Sequence, residues 1–241
     1  NEPLSKKISL DNLGLFFAQL GVGTEQLQKD LFQAYAKARG WLVKQADIVF
    51  LQTMIKKWNE QRWQHYQHKI MRSCSSFAKI ANAKTLALYD RNYVSKDFLN
   101  FLAHPDAVFT QAGTEILKAG RTSTVAKIQL DNKILIVKRS NVKNMWHWLR
   151  RCFRPTRAKT SWRLAHLLRL FGISTAKPVA FIETRFLGLR NKSYFVMEYV
   201  DGNHIGDYSY AYQEEKVEFA KMGVRVEMLL KSLENVNLSP G

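Results

Sequence analysis

Residues Glu115–Lys138 read E-I-L-K-A-G-R-T-S-T-V-A-K-I-Q-L-D-N-K-I-L-I-V-K. Two apolar runs, Ala119–Leu130 and Ile134–Val137, are joined by Asp131-Asn132. An Asp-Asn pair tolerates the positive φ of a tight turn, so the spacing predicts a β-hairpin. The first run is broken at Gly120-Arg121-Thr122-Ser123. The expected order is therefore strand, Gly-containing turn, strand, tight turn, and a strand ending on Lys138. Lys138 shares the parity of Ile134 and Ile136, which sends the three side chains out of one face. An ammonium at the end of an apolar face, beneath a Gly-containing turn, suits a nucleotide. The face takes the base, the N–H groups of the turn take phosphates, and the lysine neutralises their charge.

Outward from the hairpin, the chain resembles a known family. Aligned on Val125, a G-x-G-x-x-G-x-V loop places its central glycine on Gly120 and its outer two on Lys118 and Ser123, a degenerate form. Ile136-Val137-Lys138 stands where protein kinases carry V-A-I-K. Together with S-W-R-L-A-H-L-L, L-F-G-I-S-T-A-K-P and Y-F-V-M-E-Y-V-D-G, the run from about Ala107 to Gly241 resembles the lipopolysaccharide core kinases (Kdo/heptose kinases). The resemblance implies an α+β, protein-kinase-like fold: a five-stranded antiparallel sheet lobe with one helix, preceded by a mainly helical region. It implies ATP with Mg²⁺ as cofactors. Gly120, Arg121, Thr122 and Ser123 would cover the phosphates, Val125 and Ile136 would line the base, and Lys138 would hold the phosphates. The backbone of Glu198, Tyr199 and Val200 would seat the adenine edge. The activity implied is phosphoryl transfer to a sugar hydroxyl of the lipopolysaccharide inner core.

The matching is incomplete in two places. Kinases pair the strand lysine with a glutamate on the following helix, here Arg157–Phe171, and the matching position is Ser161 in a helix with no acid at all. The catalytic-loop Asp and Asn and the later metal-holding Asp cannot be placed, since the sequence reaches Gly241 about where that loop would begin and Asp201 and Asp207 come too early. No catalytic residue and no metal ligand is assigned. With Asn1 in place of an initiator Met, the chain is expected to be a fragment or a processed product.

Four segments are expected: 1–93, mainly helical and similar to the end of a kinase second lobe; a linker at 94–106; the nucleotide-binding lobe at 107–202; and the start of a helical second lobe at 203–241. In the first, Thr24 is expected to cap a helix that Gly40 stops, and a longer helix runs Gln45–Lys69. Strands are expected at Pro178–Glu183 and Ser193–Val200 around a loop at Thr184–Asn191, and a helix at Glu214–Leu233.

Composition narrows the partners. The 241 residues carry a net charge of +17 and are 46% hydrophobic, which supports a packed core rather than disorder. No apolar run of about 18 residues is present, so no transmembrane helix is expected, and the start carries no signal peptide. Cys74 and Cys152 are far apart and fit a reducing compartment. No Cys/His cluster has zinc spacing, and His65 and His68 read as a solvated helix face. Between Asp131 and Glu183 there is no acid, whereas Lys133, Lys138, Arg139, Lys143, Arg150, Arg151, Arg154, Arg157, Lys159, Arg163, Arg169 and Lys177 lie there. Such a one-sided run, with Trp146, Trp148 and Phe153 interleaved, is expected to meet phosphate. The partners expected are a nucleotide, an anionic glycolipid and the cytoplasmic surface of the inner membrane. A nucleic-acid-binding module is an alternative that explains the charge but not the strand-turn-strand-lysine order. A pseudokinase-like scaffold is another, suggested by the missing helix acid.

Overall fold

The computed structural model describes residues 4–142, 148–149, 152–202, 227 and 230. The expected helix at Glu214–Leu233 lies outside these, apart from Glu227 and Leu230, which are helical. The chain divides into two compact units, residues 1–65 with 170–173 and 202–241, and residues 66–169 with 174–201.

The first unit contains α1 (Lys6–Phe17), α2 (Glu25–Ala38) and most of α3 (Gln45–Ile70). Its core is Leu10, Phe17, Phe32 and Leu51, with Ile48 and Ile55 packed against it. Thr24 precedes α2 as expected, but its hydroxyl donates to the Gly21 carbonyl instead of capping the helix. Gly40 does stop α2, in the left-handed conformation at φ +63° that favours glycine. Gly14 has a packing reason. A Cβ there would stand 2.6 Å from the Cβ of Met54 and 3.2 Å from its carbonyl carbon, so α1 approaches α3 too closely for any side chain. Gly14→Ala gains roughly 0.5–1 kcal/mol of helix propensity but overpacks the contact at a cost of about 1–3 kcal/mol. Clash wins, and urea unfolding should show a net loss of about 1–2 kcal/mol.

The second unit is α+β, built on one antiparallel sheet. Its elements are β1 (Phe77–Ala81), β2 (Thr85–Asp90), α4 (Lys96–Ala103), β3 (Glu115–Ala119), β4 (Ser123–Leu130), β5 (Lys133–Ser140), α5 (Arg157–Leu170), β6 (Pro178–Phe186) and β7 (Leu189–Glu198). The sheet has seven strands in the order β1-β2-β6-β7-β5-β4-β3, not the five expected. The five expected strands are all present, and the added pair comes from 77–90, read above as helical. The hairpin there is tied at Asn82, whose Oδ1 accepts the N–H groups of Lys84 at 2.9 Å and Thr85 at 2.8 Å. β2 then pairs with β6 and extends the sheet. A second difference lies between β6 and β7, where the expected loop is a tight turn at Leu187 and Gly188, both at positive φ. The Asp131-Asn132 hairpin forms as expected, with Asp131 at φ +52°.

Alternation sorts the sheet into two faces. One carries Ala126, Ile128, Leu135, Val137, Ile182, Tyr194 and Val196 in a core with Phe98, Phe101 and Leu102 of α4. On the other, register pairs Val125 with Lys138, Lys138 with Phe195 and Phe195 with Phe181. α5 covers part of this second face. Its Trp162 is fully buried and meets the rings of Phe77 and Phe181 edge-on or tilted at 5.7 and 5.9 Å.

Candidate functional site

The turn between β3 and β4 is pinned by a residue that no sequence pattern marked. Asn141, just past β5, donates its backbone N–H to the Thr122 carbonyl at 3.0 Å. Its side-chain amide donates to the Gly120 carbonyl at 2.8 Å and to the Thr124 hydroxyl at 3.1 Å. Arg139 Nε in turn donates to Asn141 Oδ1 at 3.0 Å. Within the turn, the Gly120 N–H is spent on the Ser123 carbonyl at 3.0 Å, and a Cβ on Gly120 would lie 3.0 Å from that oxygen. Arg121 and Thr122 are left exposed at the tip, with Ser123 half-buried.

The second sheet face runs from this turn towards the far end of β7. Lys138 is exposed and opposite Val125, and two residues along β5 the buried Ile136 lies opposite Lys127 and Met197. Among the described residues no acid pairs with Lys138; the nearby ion pair on this face is Lys127 with Glu115, at 3.5 Å. Ser161 is half-buried, and the ring contacts of α5 go to β1 and β6 rather than to β5. With no acid in its sequence, the helix brings no carboxylate to the lysine.

At the other end, the backbone expected to meet a purine is partly committed. Glu198 N–H donates to Lys177 O at 2.9 Å, and Tyr199 N–H to Ile134 O at 3.0 Å, while Val200 is 64% exposed. The Glu198 carboxylate accepts the Tyr93 hydroxyl. Burial, reinforced by that carboxylate, pushes the Tyr93 pKa far above the ordinary tyrosine range. The ammonium groups of Lys133 and Lys177 stand 4.0 and 4.7 Å from the Tyr93 ring, and Lys177 also pairs with Asp90 at 3.3 Å. The segment following β2 thus braces the end of β7 through a hydroxyl–carboxylate bond wrapped in cations.

Around the pinned turn, charge is managed by two acids. Asp106 takes Arg139 at 2.9 Å and Lys192 at 2.7 Å. Burial works to raise its pKa, but the bonds from Lys192 and Arg139 outweigh it and hold the carboxyl below its usual value. Glu183 is fully buried; it accepts the Thr156 hydroxyl, and Arg190 Nε lies 3.8 Å away. Beside these groups, on the second face, is a cavity of about 110 Å³ lined by Thr122, Ser140, Trp148, Arg157, Arg190 and Ser193 among others.

Of the residues singled out in the sequence, Val125, Ile136 and Lys138 share one face, the Gly120–Ser123 turn closes one end of it, and Glu198–Val200 lie at the other. The basic stretch 143–159 is described only in part. Cys74 and Cys152 are free thiols. Among the described residues no group of three His, Cys, Asp or Glu side chains comes together to hold a metal ion, and no helix is long and apolar enough to cross a membrane. No protein-family model, curated protein or solved structure matches the chain.

Proposed function

We propose that residues 107–202 are the nucleotide-binding lobe of an ATP-dependent kinase that phosphorylates a sugar hydroxyl of the lipopolysaccharide inner core. What supports this is the order of groups along one sheet face. From the end of β7, the apolar Ile136 comes first, then Lys138 with Val125 directly opposite it, then the turn at Gly120–Ser123. At ~3.3 Å per residue, Ile134 to Lys138 along β5 covers about 13 Å, an adenosine-to-phosphate sequence laid out on a single strand.

In this reading the base rests on Val125 and Ile136, and the hinge backbone at the exposed Val200 meets its edge. The Lys138 ammonium, free of a helix carboxylate, acts directly on the phosphates. The exposed Arg121 adds a second positive charge at the turn. ATP supplies the phosphoryl group. The described residues provide no ligand set for Mg²⁺. The basic stretch 143–159 would meet the anionic glycolipid at the cytoplasmic surface of the inner membrane.

The test is ATP binding by calorimetry on the full chain. Lys138→Ala is expected to weaken binding at least tenfold, about 1.4 kcal/mol; equal affinity for the two proteins would sink the reading. A scaffold that binds nucleotide without transferring phosphate is the second reading, favoured by Ser161 standing in place of the helix acid. It predicts the same Lys138 effect but no ATP turnover in the presence of acceptor glycolipid.

A further inference from the structure

The cavity beside the pinned turn is not on the path from hinge to turn just described. It opens on the same face one step past Lys138, floored by Ser140 and Ser193, which are paired in register across β5 and β7. Thr122 of the turn forms one wall, and Arg157, at the start of α5, forms another with Arg190. An indole, Trp148, makes the apolar side.

Arg190 and Trp148 are held in place. Arg190 Nη1 donates to the carbonyls of Phe153 at 3.1 Å and Arg154 at 3.0 Å, and its Nε faces the buried Glu183. Among the described residues the hydrogen bonds use the two N–H groups of Nη1, and Nε is held by the ion pair alone. Trp148 Nε1 donates to the Arg190 carbonyl at 2.9 Å, and its ring packs on Phe186 at 6.1 Å. Glu183, the acid nearby among the described residues, is turned to Thr156 and Arg190 and does not line the cavity. Among the described residues, the lining therefore combines two guanidiniums, the hydroxyls of Thr122, Ser140 and Ser193 and one aromatic surface, with no carboxylate.

We infer that this cavity binds a phosphorylated sugar, its phosphomonoester on Arg157, Arg190 and the hydroxyls, and its ring carbons on Trp148. A tetrahedral oxyanion accepts bonds from several directions at once, which suits donors spread over a floor and two walls. A carboxylate, with two coplanar oxygens, would leave part of that set unused. The aromatic wall offers the ring carbons an apolar surface, the usual division of labour in small-ligand pockets. Thr122 belongs to both the cavity and the turn, so the occupant lies next to the phosphate end of the nucleotide path. Its role as an anchor for the acceptor rests on the kinase-lobe reading above.

Calorimetric titration of the full chain separates the possibilities, using glucose 6-phosphate, inorganic phosphate and glucose as probes. Glucose 6-phosphate should bind and glucose should not. Arg157→Gln, which removes an exposed charge, should weaken glucose 6-phosphate at least tenfold, and Ser140→Ala should weaken it several-fold. A tighter constant for glucose 6-phosphate than for inorganic phosphate assigns the site to a phosphosugar, and equal constants assign the same chemistry to free phosphate. Absence of phosphate-dependent binding, or binding unchanged by Arg157→Gln, overturns the inference. ATP titrated into the same protein reports on the nucleotide reading separately: if ATP fails to bind while glucose 6-phosphate binds, that reading falls and the phosphosugar pocket stands.

Discussion

Replacing Trp162 by alanine is expected to lower the unfolding free energy by about 3–5 kcal/mol, the range for deleting a buried aromatic side chain. Trp162 has no exposed surface. Its ring is boxed by Phe77 at 5.7 Å, Phe181 at 5.9 Å and His166 at 4.2 Å, and edge-to-face contacts of this kind add to the area it buries. Its Nε1 donates to the Ile70 carbonyl at 3.1 Å, tying α5 to the end of α3. Truncation would open a cavity and also leave that buried carbonyl without its donor, two penalties of different origin. Trp162→Phe separates them. It keeps most of the ring but not the N–H, and about 1–3 kcal/mol should remain as its cost. Urea unfolding measures both. If the alanine variant unfolds within about 1 kcal/mol of the parent, α5 is not what secures the second face of the sheet.

The hairpin centred on Asp131-Asn132 was legible because two independent signals agree there. Apolar residues alternate on both arms, and the joining pair tolerates the observed positive φ. Lys138 could be placed on its face by parity alone. β1 and β2 were not legible for a related reason. Ala78, Ala81 and Ala87 sit at strand positions where branched residues usually announce a sheet, and alanine favours helix. What marked them was local, the Asn82 side chain capping its own turn between F-A-K-I-A and T-L-A-L-Y-D. In the β6–β7 hairpin, Leu187 takes a positive φ that its side chain disfavours, so Gly188 alone hinted at a tight turn. The site divides in the same way. Its strand-borne members follow from periodicity, whereas Asn141 and Asp106 act on partners brought close by the fold, Asp106 on Arg139 and Lys192 far along the chain. No spacing rule connects such residues, and the cavity that Asn141 borders had no sequence signature. The missing acid was visible too: α5 carries no Asp or Glu, which alone leaves Lys138 without a helix carboxylate. What could not be read was where the helix packs, over β1 and β6.

Lowering the pH from 7 to 5 is expected to cost this protein about 2 kcal/mol through one side chain, His166. The ring is 5% exposed, enclosed by Trp162, Phe77 at 5.1 Å and Tyr66, whose hydroxyl lies 3.2 Å from Nδ1. Burial, and then the positive charge of Arg169, bring its pKa down to about 3, against a weak opposing pull from Asp90. In the unfolded chain the ordinary value of about 6.5 returns. Between those two values the unfolded state holds a proton that the folded state does not, so stability is complete above about pH 6.5 and falls as pH drops towards 3. The slope is about 1.4 kcal/mol per pH unit, and the window from 6.5 to 5 gives the figure above. Asp106 and Asp47 are held below their ordinary carboxylate values, so their own losses begin at lower pH and leave this interval to histidine. His166→Gln keeps a polar group for Tyr66 and removes the titration. Its unfolding free energy should change by about 2 kcal/mol less than the parent's between pH 7 and 5. Parallel pH profiles for the two proteins would mean that His166 is not held neutral in the folded state, and that the aromatic box around Trp162 admits water.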